Sequence, residues 1–171
     1  DTDLFSPKKK KSKGDTAASP VSKENLAIAK SWLASSDEYN LLVNGTAITA
    51  FPVYYQNDLA LLRQSLRIVQ AGTEVAEVKG KDLIPAHGLA MSRLLKTSVF
   101  STEALTYEQA IAYLRKEAIV LPPSVPKGYV LVTYKEIPLG FVKNIGNRAN
   151  NLYPQEWRIR SGYLPDDIRT L

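Results

Sequence analysis

Residues 128–158 read GYVLVTYKEIPLGFVKNIGNRANNLYPQEWR, and this stretch decides the fold. From Tyr129 to Tyr134 both alternating faces are largely apolar, with Tyr129, Leu131 and Thr133 on one and Val130, Val132 and Tyr134 on the other. A strand that is apolar on both faces belongs in the interior of a sheet or the wall of a barrel. Lys135-Glu136-Ile137-Pro138 turns the chain, and a second strand follows from Leu139 to Lys143. Gly140 sits inside that strand, where glycine marks a bulge, a barrel corner or the close approach of another group. The tail beyond Lys143 is rich in Asn, Arg, Tyr and Trp. It joins hydrogen-bonding amides, cations and flat rings, the mixture that single-stranded RNA surfaces use.

Working outward, the chain has 171 residues, 44% hydrophobic and 23% charged, which is enough for a real core in one medium or two small domains. The net charge of +5 is uneven, for residues 25–106 balance seven cations against seven acids and the excess lies at the two ends. Such a basic balance is compatible with a nucleic acid as partner. The absence of cysteine excludes disulfide scaffolds, thiolate metal sites and thiol nucleophiles from this chain. There is no apolar run of membrane-spanning length and no signal-peptide pattern, so no membrane is expected and a cytoplasmic location is the default. The chain starts at Asp1 and stays polar, as a piece of a longer protein would.

Residues 1–24 contain Lys8 to Lys11 among Ser, Pro, Thr and Gly, and read as a disordered basic linker. Ser22 predicts the N-cap of a helix from Lys23 to about Ser35, with Leu26, Ala29, Leu33 and Trp32 toward the core. Asn44-Gly45 predicts a type I′ hairpin between Leu41–Val43 and Thr46–Tyr55, with Pro52 at a sheet edge or bulge. Leu66–Gln70 and Thr73–Lys79 are further strand candidates, and Pro85–Leu95 a helix. His87, the sole histidine, predicts a structural or surface role. Thr106 and Gln109 form a capping-box pattern for a helix over Tyr107–Ala118, whose Tyr107, Ile111, Leu114 and Ala118 share a face. The prolines at 122, 123 and 126 then force an extended connector.

In the tail, Asn144, Gly146 and Asn147 are the residues tight turns need. The candidates for RNA contact are Lys143, Arg148 and Tyr153 first, then Asn150, Asn151 and Arg158. Cations and amides can hold phosphates and base edges while rings stack bases. No catalytic constellation is legible: there is no Gly-x-Ser-x-Gly elbow, no metal cluster and no phosphate loop, which speaks against a free-standing hydrolase or transferase.

The run Tyr129–Thr133 through Pro138–Lys143, ending in Asn150-Asn151-Leu152-Tyr153-Pro154, resembles the PUA-like RNA-binding domain at the C-terminus of the RsmF-type Nol/Nop/Sun RNA cytosine-C5 methyltransferases. Tyr113-Leu114-Arg115 in the preceding helix fits as well, as does Pro85 to Ala90 in that branch's first C-terminal domain. The resemblance spans about residues 25–160, with its specificity concentrated in 107–154. It implies an α+β fold: a small helix and hairpin module over 25–98, then a PUA-like β pseudobarrel with a flanking helix over 99–171. It also implies a longer enzyme that uses S-adenosylmethionine to methylate cytosine C5 in ribosomal or transfer RNA. That family's cysteine nucleophile and Gly-rich cofactor loop have no counterpart in this sequence. The expectation is a non-catalytic segment, with no cofactor of its own, that binds structured RNA and presents it to its own catalytic domain. The alternative is a docking or scaffold module without RNA binding.

Overall fold

The computed structural model describes residues 21–161, and most of the predicted basic linker lies outside them. The fold is α+β, with four helices and two four-stranded sheets among the described residues. Helix α1 spans Lys23–Ser31, and Ser22 caps it by accepting from the Asn25 amide at 3.1 Å. Its Ala29, with Trp32 and Leu33 just beyond, enters the core as the apolar stripe requires.

The first sheet runs in the order β1-β2-β3-β4, with β1 at Tyr39–Asn44, β2 at Ala47–Pro52, β3 at Thr73–Lys79 and β4 at Asp82–Pro85, all antiparallel. The predicted hairpin is there, but its register is shifted. Asn44 pairs with Ala47, so the two central residues are Gly45 and Thr46, and Gly45 alone has a positive φ, +60°. Glycine at the first central position is the arrangement of a type II′ turn rather than I′. Pro52 lies on an inner strand, yet beyond Ala50, the last residue of β2 paired to β3, so its missing amide costs no ladder bond there.

Two predicted elements are different. Leu66–Gln70 is not a strand; the chain before it forms helix α2, Gln56–Ser65, closed by the Leu66 amide on Leu62 O at 2.8 Å. Leu66 is already extended after the helix, but Leu66 and Val69 are exposed and no described strand pairs with the segment, so its β-branched Ile68-Val69 finds no sheet to join. The Pro85–Leu95 helix contracts to one turn, α3, His87–Ala90. Pro85 is the end of β4, and Ser92 Oγ donates to Leu89 O at 2.9 Å and accepts from the Leu94 amide at 3.3 Å, drawing the chain out of the helix.

The second sheet runs β5-β6-β7-β8: β5 at Ser101–Ala104, β6 at Gly128–Tyr134, β7 at Ile137–Asn144 and β8 at Ala149–Asn151. β5 and β6 are parallel, joined through helix α4, Tyr107–Leu114; the other pairs are antiparallel. An isolated bridge of Ile119 to Ala149 extends the β8 edge, and the described pairing leaves the sheet open rather than closed into a ring. The capping box of α4 forms as predicted, Gln109 N to Thr106 Oγ1 at 3.3 Å and Thr106 N to Gln109 Oε1 at 3.0 Å. The helix stops at Leu114, short of Ala118, because Lys116 turns left-handed (φ +68°) and the Glu117 amide closes back on Ala112 O. Its buried side chains are Ala110 and Tyr113, one helical turn apart, instead of the predicted Tyr107 face.

β6 explains its own sequence. Val130 and Val132 join the core beneath α4, whereas Leu131, with Phe141 of β7, belongs to the core of the first sheet and α1. Both faces of the strand are therefore covered. Rings mark the crossing: Trp32 packs on Phe100 at 5.2 Å and Phe100 on Phe141 at 4.8 Å. Gly140 is both a bulge neighbour and a point of close approach. Val132 pairs with Gly140 and Thr133 with Pro138, leaving Leu139 as the extra residue, while Gly140 (φ +143°) faces the Tyr113 hydroxyl and the His87 ring.

The β6–β7 hairpin turns through Lys135 (φ +48°) and Glu136 (φ +67°), since Tyr134 pairs with Ile137. Two non-glycine residues thus hold a left-handed backbone that costs each roughly 1–2 kcal/mol. Glu136→Gly is expected to raise stability by about 1 kcal/mol. Thermal melting checks this; a lower midpoint would mean that the Glu136 side chain contributes more than its backbone costs.

Candidate nucleic-acid interface

The sequence-predicted residues fall into two groups around the second sheet. Lys143 and Asn150 are cross-strand partners on β7 and β8, and Arg148 is the last residue of the loop between those strands. Together they form one polar edge. Arg148 and Asn150 are exposed. Lys143 also reaches the first sheet: its Nζ donates to Asp82 Oδ2 at 2.6 Å and stands 5.5 Å from the centroid of the Tyr129 ring. The Asp82 hydrogen bond, then the Tyr129 hydroxyl, hold the Lys143 ammonium above its usual range.

The second group organises the tail. Asn151 uses its whole amide on backbone: Nδ2 donates to Tyr113 O at 2.8 Å and Glu117 O at 2.9 Å, and Oδ1 accepts from the Tyr153 amide at 2.9 Å. Tyr153 is half-buried, its ring edge-on to Tyr113 at 5.4 Å and to His87 at 5.1 Å, and its carbonyl accepts from Lys116 Nζ. Burial holds that ammonium below its ordinary range, with Glu156 opposing the shift. Burial also pushes the Tyr113 hydroxyl far up, helped by Tyr153 and opposed by its hydrogen bond to Phe141 O. Arg158 is exposed at the far end of the tail, away from the β7–β8 edge in sequence.

Sequence reasoning missed two recesses beside this tail. One is a cleft of about 680 Å³ between the first sheet and the tail, bounded by Glu74, Glu77, His87, Lys116, Glu156 and Trp157 among others. Burial lowers the basicity of His87, and burial followed by Glu77 raises the pKa of Glu74. His87 packs edge-on against Trp157 at 5.4 Å, and its buried Nδ1 has no hydrogen-bond partner among the described residues. The other is a more open recess of about 350 Å³ lined by Arg115, Glu117, Arg158, Ile159, Arg160 and Ser161. The signal available in sequence was the alternation of Arg158 and Arg160. Arg115 lies 43 positions before Arg158 (158 − 115) and only folding joins them.

The described residues contain no cluster of three or more His, Asp or Glu able to hold a metal, and no helix long and apolar enough to cross a membrane. Among them no Gly-rich strand-to-helix turn forms a cradle for S-adenosylmethionine. The one strand-helix-strand crossover, β5-α4-β6, turns into its helix through Leu105-Thr106, with no glycine to let a cofactor approach the backbone.

The second sheet thus carries a crossover helix, a β7–β8 edge of cations and amides, and a basic, aromatic tail beyond it. Residues 100–159, which hold all of β5 to β8 and the turn at Gln155–Trp157, match the family model described as the Methyltransferase RsmF PUA domain. Over 138 residues the chain is 29% identical to ribosomal RNA small subunit methyltransferase F of Enterobacter sp. (strain 638), covering 81% of this chain and 27% of that protein. The same-named protein of Shigella boydii serotype 4 (strain Sb227) is 26% identical over 160 residues, 94% of this chain and 30% of its own length. That of Klebsiella pneumoniae (strain 342) is 28% identical over 99 residues, 58% and 20% respectively. The similarity to these proteins runs along most of the chain, and the match to the RsmF PUA model lies within it at residues 100–159. It spans less than a third of the length of these curated relatives.

Proposed function

We propose that this chain is the RNA-binding, substrate-positioning segment of a longer S-adenosylmethionine-dependent methyltransferase that modifies cytosine C5 in ribosomal or transfer RNA. The observation that carries the reading is the coincidence of the RsmF PUA match with the second sheet, whose β7–β8 edge carries the exposed Arg148 and Asn150, and with the tail that carries the exposed Arg158. Catalysis and the cofactor belong to the part of the longer protein outside this sequence, and the setting is the cytoplasm. In this reading residues 1–24 tether a first module, 25–98, and the RNA-binding domain occupies 99–171. Lys143, Arg148, Asn150 and Arg158 contact RNA, while Asn151 and Tyr153 hold the tail in the shape the RNA meets. Affinity comes mainly from cations on phosphates, and selectivity from RNA shape and a few stacked or bonded bases.

A docking role is favoured by a separate observation. Around α2 the side chains of Tyr54, Leu61, Leu66 and Val69 are exposed, Val69 at 95% and Tyr54 at 85%, an apolar surface that the longer protein's catalytic domain would cover. The RNA reading is tested by Lys143→Ala/Arg148→Ala. Loss of two phosphate contacts should weaken binding of structured RNA and flatten the log-affinity against log-salt slope by roughly 1.5. Unchanged affinity and slope in a folded variant would leave docking as the function of this edge.

A further inference from the structure

The Arg-lined recess beside the tail has the makings of an anion site. Arg158 and Arg160 flank Ile159, whose amide donates to Leu114 O at 2.9 Å, so the backbone that carries both arginines is tied to the C-terminal end of α4. Arg115, the C-cap of that helix, completes the wall; its Nη2 donates to Ser161 O at 2.9 Å, whereas its buried Nε has no partner. Glu117 is the one carboxylate on the lining, so three cations outweigh it. A helix C-terminus ordinarily repels anions through its open carbonyls. Here those carbonyls are occupied: Ala112 O by the Glu117 amide, Tyr113 O by Lys116 N and Asn151, and Leu114 O by Ile159 N. The recess has the volume of about twelve waters at roughly 30 Å³ each, room for a phosphate and its waters.

The residue before Arg158 supplies a second element. Trp157 is 61% exposed, on a short turn braced by His87, while the other tryptophan, Trp32, is 6% exposed. Trp157 borders the neighbouring cleft rather than the recess itself, but its Cα is one peptide, about 3.8 Å, from that of Arg158. An exposed ring next to a cationic recess is the pairing of stacking platform and phosphate clamp that single strands use. We propose that Arg115, Arg158 and Arg160 hold one phosphodiester of single-stranded RNA while the adjoining base stacks on Trp157. This rests on the RNA-binding reading and locates a contact distinct from the β7–β8 edge.

The experiment is a titration of the chain with a short single-stranded RNA oligonucleotide, followed by tryptophan emission and anisotropy, with inorganic phosphate as competitor. Wild type should show quenching. Arg160→Ala should weaken binding about tenfold and flatten the salt slope by about 0.7, since one phosphate contact is lost. Trp157→Ala should weaken binding about tenfold, abolish the quenching and leave the slope intact. Both side chains are exposed, so melting midpoints near wild type verify the fold. RNA bound equally by all three proteins would overturn this site and keep the RNA-binding reading, with Lys143→Ala/Arg148→Ala then showing the loss. No binding by wild type would overturn both.

Discussion

Gly140→Ala should destabilise the protein by about 3–5 kcal/mol, combining backbone strain of roughly 1–3 kcal/mol with an overpacking cost of similar size. A methyl group there would stand 2.1 Å from the Tyr113 hydroxyl and 2.9 Å from His87 Nδ1, on a backbone with φ +143°. Tyr113 cannot move aside cheaply, because it is fully buried and its hydroxyl donates to Phe141 O at 3.2 Å. Urea unfolding measures the loss. The double variant Gly140→Ala/Tyr113→Phe removes the atom in closest conflict and should cost about 1 kcal/mol less than the sum of the single changes. Strict additivity would mean that the hydroxyl is not the obstacle.

Asn144→Ala is expected to cost about 2–3 kcal/mol, because three backbone groups lose their partner together. Asn144 is 5% exposed; its Nδ2 donates to Val125 O at 3.0 Å and Pro126 O at 3.1 Å, and Oδ1 accepts from the Gly146 amide at 3.0 Å. These bonds pin the proline-rich connector to the end of β7. Asn144→Asp keeps the size and shape but aims a carboxylate at two carbonyls. At neutral pH it should be at least as unstable as the alanine variant, and it should recover as acid protonates it. Equal stability of all three proteins across pH would contradict the pinning role.

The parts of the fold legible in sequence were those fixed locally. The two-faced apolar run of β6, the Thr106–Gln109 capping box and the Ser22 cap each declare themselves within a few residues. Strand β5, by contrast, has four residues and gains its place through a parallel pairing with β6, 29 positions on at Ser101–Val130 (130 − 101). Strand β4 is as short, and its closing Pro85 imitated a helix start. The hairpin slipped by one residue because Asn44 and Gly45 satisfy either primed turn, and strand pairing decides between them.

The site was legible by residue type but not by partner. Asn150 and Asn151 look alike in sequence, yet one is exposed and the other spends its amide holding β8 and the tail to α4. Lys143 carries the charge that RNA contact calls for and also links the two sheets through Asp82. Arg115 stood in sequence only within the helical Tyr113-Leu114-Arg115, and folding places Arg158 and Arg160 beside it.

The central claim, that this segment grips RNA, is tested most directly by titrating the wild-type chain with ribosomal RNA fragments and transfer RNA at two salt concentrations. Binding should weaken steeply with salt and prefer one RNA. Absence of binding at low salt would contradict it and leave the segment as a docking module of its longer protein.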